Sequence, residues 1–95
     1  MLMRESEIER KLVAAVKARG GIAPKLVSPG LAGMPDRLVL LPDCRMAFVE
    51  LKAPGRKPRA IQFRRIRELV SLGYGVFVVD SVEMIPEVLD AIQTT

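Results

Sequence analysis

Histidine and tryptophan are absent from this chain of 95 residues, and cysteine occurs once. Without an imidazole, any general base must be a carboxylate, a lysine or metal-bound water. Ser28 accordingly has no partner for a serine-hydrolase relay. The lone Cys44 cannot close a disulfide within the chain, so a reducing, intracellular setting is the natural expectation. One Tyr and three Phe make a poor platform for stacking bases. No apolar run approaches the roughly 20 residues that span a bilayer, and the opening MLMRESEIER lacks a signal-peptide core. These absences predict a soluble, cytoplasmic domain with no membrane partner.

Apolar residues make up 49% of the sequence, too many for a disordered chain. The length suits a single domain over residues 1–95, with a modest core that buries about 60–65% of the unfolded surface. The formal net charge is +4, and its distribution says more than its size. From Lys52 to Arg67 the chain carries Lys52, Arg56, Lys57, Arg59, Arg64, Arg65 and Arg67 without one acidic residue. A solvated helix face usually mixes both signs, so this stretch points to a polyanion, and nucleic acid is the expected partner.

The spacing predicts a first helix from Ser6, where Ser6 and Glu9 form a capping box and Ile8, Leu12, Ala15 and Val16 repeat at helical period. Gly20-Gly21 ends it. IAPKLVSPG reads as an edge or broken strand, because Pro24 cannot donate to a ladder. RLVLLP and RMAFVELKA follow as strands around a turn at Pro42-Asp43. Arg59 to Leu72 reads as an amphipathic helix stopped by Gly73, and GVFVVD as a buried strand. A last helix capped by Ser81 should turn Val82, Ile85, Leu89 and Ile92 inward, with Pro86 making it start late or kink. The order is α-β-β-β-α-β-α. The central hairpin is apolar on both faces, which calls for helices on both sides of a small mixed sheet in an α/β domain. The helix between the last two strands suits a right-handed crossover to a parallel neighbour.

The stretch FVELKAPG poses the functional question. On one strand Glu50 and Lys52 point the same way, with Cα atoms about 6.5–7 Å apart. A turn centred on Asp43 would pair Leu40 with Met46, Leu38 with Phe48 and Asp36 with Glu50. Opposed side chains on one face have Cβ atoms about 4.5–5.5 Å apart, so the two carboxylates would repel unless a cation lay between them. Mg²⁺ commonly takes one or two protein carboxylates together with phosphate oxygens. Gly30 and Gly33 make the preceding loop glycine-rich, but no GK[ST] follows, so a phosphate-binding P-loop is not supported.

GMPD at Gly33–Asp36 with VELK at Val49–Lys52 resembles the PD-(D/E)xK nuclease core, and more narrowly the virus-type replication-repair nuclease (VRR-NUC) domain of stand-alone phage type. Glu7, Lys25, SPG, GMPDR, ELKAPG, Gln62 and LGYGVFVVDS extend the resemblance over nearly the whole chain, while Met34, Pro58 and Arg59 depart from the commoner pattern. The resemblance implies a restriction-endonuclease-like fold, with Mg²⁺ or Mn²⁺ held by Asp36, Glu50 and the Leu51 carbonyl. Glu7 would assist with metal or water, Lys52 would act on the water and the phosphate, and Gln62 would belong to the site. It further implies a homodimer, phage- or prophage-encoded and acting in the host cytoplasm, that hydrolyses branched DNA as Holliday-junction resolvases do. Flap or general structure-specific cutting is the alternative within the enzyme class; a non-catalytic DNA-binding module would be expected to lack a core residue. Arg56, Lys57, Arg59, Arg64 and Arg65 are candidate phosphate contacts, and Lys25 stands between phosphate contact and edge-strand protection.

Overall fold

A computed structural model describes residues 3–94. Its elements run α1 (Glu5–Ala18), β1 (Arg37–Leu41), β2 (Arg45–Leu51), α2 (Ala60–Ser71), β3 (Val76–Val79) and α3 (Met84–Thr94). The antiparallel hairpin has the expected register: Leu40 faces Met46 and Leu38 faces Phe48, around a turn in which Asp43 and Cys44 both take positive φ. That register matters because a slip by one residue would send every side chain to the opposite face. β3 then lies parallel to β2, reached through α2 as the crossover, giving the sheet order β1-β2-β3.

The stretch IAPKLVSPG does not form a full strand. It touches β1 at two isolated bridges, Ile22 with Leu40 and Lys25 with Arg37. Pro24, between them, has no N–H to give and contributes only its carbonyl, which accepts from the Leu38 N–H. The sheet therefore has three strands rather than four.

Helix ends follow local chemistry, with two departures from expectation. α1 begins before Ser6: the Arg4 carbonyl accepts from Glu7 and Ile8, so Ser6 lies inside the first turn and no side chain caps it. Ser81 does not start α3, which begins late, at Met84, as Pro86 led one to expect; Pro86 sits in its first turn, where a missing N–H does no harm. Both α1 and α2 stop in a Schellman turn. Gly20 at φ +85° and Gly73 at φ +97° take the left-handed conformation, while Gly21 donates to Val16 and Tyr74 to Leu69.

The sheet's two faces differ. Val39, Leu41, Ala47, Val49 and Leu51 are buried against Ile8, Leu12 and Val16 of α1 and Ile85, Val88, Leu89 and Ile92 of α3. Each of the Val, Leu and Ile side chains contributes about 1.5–3 kcal/mol when fully buried. The other face carries Leu38, Leu40, Met46, Phe48 and Glu50 beneath α2, and the cover there is partial: Met46 remains 36% exposed. Arg19 ties α1 to α3 through Asp90 at 2.8 Å and Gln93 at 2.6 Å.

Candidate active site

Glu50 is the anomaly of the partly covered face: a carboxylate 1% exposed, in a strand flanked by Val49 and Leu51. Three neighbours define its state. Lys52 Nζ lies 2.8 Å from Glu50 Oε2. The Gln62 side-chain amide donates to the same oxygen at 2.7 Å, while its own oxygen accepts from the Arg59 N–H at 2.8 Å. The amide orientation is thereby fixed, since only its oxygen can accept and only its nitrogen can donate. The third neighbour is Asp36, one residue before β1, whose Oδ2 accepts from the Leu51 N–H at 2.9 Å. Glu50 Oε1 is left buried with no hydrogen-bond partner. An unsatisfied buried acceptor costs about 1–3 kcal/mol, more when charged.

Burial raises the Glu50 pKa above its ordinary 4.5, and the negative charge of Asp36 adds to the rise, while the Lys52 ammonium opposes both. Either a proton or a cation at Oε1 would relieve that charge. Asp36 and Glu50 supply hard oxygen donors, and the Leu51 carbonyl faces the same edge as its N–H, toward Asp36. Two carboxylates and a carbonyl suit Mg²⁺ or Mn²⁺, which complete their shells with water and substrate oxygens.

The structure thus gathers Asp36, Glu50, Leu51, Lys52 and Gln62 at the carboxyl end of β2. Glu7 is half-buried in the first turn of α1, and among the described residues no group of three or more His, Cys, Asp or Glu forms, so it does not complete a cluster with Asp36 and Glu50. Lys25, Arg56, Lys57, Arg59 and Arg64 are exposed. Arg65 differs: its side chain is 12% exposed, its Nε donates to the Ala32 carbonyl at 2.9 Å, and it pairs with Glu68 at 2.7 Å. Its guanidinium clamps the loop before β1 onto α2 and is not a free phosphate contact.

Gly33 has a structural role of its own beside the site. At φ +82° it brings its backbone so close to α2 that an added Cβ would lie 2.6 Å from the Ile61 carbonyl. The glycine in GMPD was the available signal, since an atypical φ or a close approach is what glycine alone permits.

An acidic pair and a lysine at one end of the hairpin, backed by a glutamine from a basic crossover helix, are arranged as the PD-(D/E)xK resemblance leads one to expect. A solved structure described as a "VRR_NUC domain" superposes with a TM-score of 0.84 and 32% identity, over 90% of this chain and 94% of its own. A protein of Acyrthosiphon pisum secondary endosymbiont phage 1, named "Putative nuclease p44", is 52% identical over 83 residues, covering 87% of this chain and 89% of that protein. No family model matches. On this identity and coverage the chain belongs to the VRR-NUC nuclease family. No helix among the described residues is long and apolar enough to cross a membrane.

Proposed function

We propose that this domain is a Mg²⁺- or Mn²⁺-dependent DNA endonuclease acting on four-way junctions as a homodimer, in the cytoplasm of a bacterial host. The observation that carries the metal site is the buried, unpartnered Glu50 Oε1 beside Asp36. Asp36, Glu50 and the Leu51 carbonyl would hold the cation, which supplies Lewis-acid stabilisation of phosphate charge and makes water more acidic. Lys52 uses one of its three N–H donors on Glu50, leaving two for the attacking water and a phosphate oxygen. Negative charge on the phosphoryl oxygens during in-line attack would then meet a fixed ammonium. Gln62 holds Glu50 in place by donating to the same Oε2.

Arg56, Lys57, Arg59 and Arg64 are exposed on the loop and helix that follow β2, and backbone phosphates are their natural ligands. Backbone contacts register shape rather than sequence. A chain this small has little surface for target recognition, and a two-fold dimer presents two sites to a symmetric junction. The phage relative favours action inside an infected or lysogenic cell.

The test is cleavage of labelled four-way, flap and linear duplex DNA in Mg²⁺, Mn²⁺ or EDTA. Paired symmetric nicks on the junction, abolished by EDTA and by Lys52→Ala, are expected. Preferential flap cutting would replace the junction assignment, and binding of DNA without metal-dependent cutting would refute the enzymatic one.

A further inference from the structure

The chain before β1 forms a closed loop whose foot is the active site. Its ends are tied by the Leu26 N–H to the Asp36 carbonyl at 2.8 Å and by the bridge between Lys25 and Arg37. Within it the Leu31 N–H turns back to the Ser28 carbonyl at 3.0 Å. Arg65 grips the Ala32 carbonyl, and Gly33 lies against the Ile61 backbone. Compact loops with joined ends are held by their own contacts and often carry function. This one is fastened at its foot and along one side, yet it presents Val27 at 74% and Leu31 at 44% exposure.

A single exposed leucine means little. Here the setting is specific. No acidic residue occurs from Lys25 to Pro35, nor from Leu51 to Arg67, and the Arg65 clamp joins these two segments in space. Glu68, which reaches the same clamp, is paired with Arg65. An apolar crest beside two joined segments that carry cations and no acidic residue matches a ligand with both phosphates and bare apolar faces. Duplex DNA offers phosphates but keeps its base faces stacked; a branch point exposes them. Proteins that kink or open DNA insert leucine and similar side chains at such steps.

We propose that Leu31 is an apolar wedge that packs on the unstacked base at a DNA branch point. Because Asp36 stands at the foot of the same pinned loop, the wedge fixes the distance from branch to cut. The proposal rests on the nuclease reading above and adds the residue that recognises the branch.

The probe is a four-way junction carrying 2-aminopurine at the branch point, with a linear duplex of matching sequence, both titrated in EDTA. Wild type is compared with Leu31→Ser and with Val70→Ser, an exposed substitution at the other end of α2. Leu31→Ser should lower junction affinity about five- to ten-fold, the scale of one leucine face returned to water. It should also remove the fluorescence rise at the branch-point base and leave duplex binding and the melting temperature unchanged. In Mg²⁺ its junction cuts should spread over neighbouring phosphates. Unaltered junction preference in Leu31→Ser, an equal loss in Val70→Ser, or a wild type that binds both DNAs equally would each overturn the wedge. Duplex nicking by the same samples in Mg²⁺ reports separately on the nuclease reading.

Discussion

The sheet's two faces share the same strands and have opposite characters. Toward α1 and α3 the alternating residues Val39, Ala47, Val49 and Leu51 form a closed apolar core. Toward α2 the intervening residues surround Glu50 and Gln62, the two buried polar side chains of the described residues. One face contributes stability and the other holds an unsatisfied carboxylate in place, so the first must offset the cost of the second. A charge held where burial disfavours it is a common mark of a functional site.

Substitutions should separate the faces. The largest effect expected is on chemistry: Lys52→Ala should slow metal-dependent DNA cleavage by about 10²–10³-fold, the range for losing one preorganised charge-stabilising donor, with little change in melting temperature. Leu12→Ala should lower stability by about 2–5 kcal/mol in chemical denaturation. By contrast, Val70→Ala on the α2 side, at 54% exposure, should remain within about 0.5 kcal/mol of wild type. If the two cost the same, the contrast between the faces fails.

Gly33→Ala tests the join between loop and α2. The required φ of +82° and the approach to the Ile61 carbonyl should make it destabilising by more than about 1 kcal/mol. Weaker still, Arg64→Ala should reduce the salt dependence of DNA binding by about one unit of slope, uniformly across sequences.

Acid titration sharpens the comparison further. The folded-state pKa of Glu50 is raised, so this group favours the folded state below 4.5 and that contribution is lost as pH rises through the folded value. Carboxyl ¹³C shifts of the metal-free protein should place Glu50 above 4.5, and saturating Mg²⁺ should bring it down. A Glu50 carboxyl that titrates at or below the ordinary value in metal-free protein would remove the electrostatic reason for a cation.

Much of this was legible in residues that obey short-range rules. The hairpin register followed from two apolar alternations meeting at Asp43, and the helix stops followed from Gly20 and Gly73. The proximity of Asp36 to Glu50 followed from the same register. Features set by distant partners were not legible. Ser6 looked like a cap, but the Arg4 carbonyl already starts the helix. Arg65 looked like its exposed neighbours until the Ala32 carbonyl, 33 residues away, engaged it. The first strand was weakened by one proline, as its sequence warned, but how far depended on the Lys25 bridge to Arg37. Gln62 was placed at the site by resemblance; the hydrogen bond it accepts from the Arg59 N–H is local to the start of α2, whereas the one it donates to Glu50 emerges only from packing α2 on the sheet.

The most direct test of the central claim is paramagnetic broadening of the protein's amide signals by substoichiometric Mn²⁺. Strong, selective loss of the Asp36, Glu50, Leu51 and Lys52 signals is expected, with those of Leu12, Val39 and Val88 retained, and no such loss in Glu50→Gln. Broadening centred elsewhere, or unchanged in that variant, would contradict it.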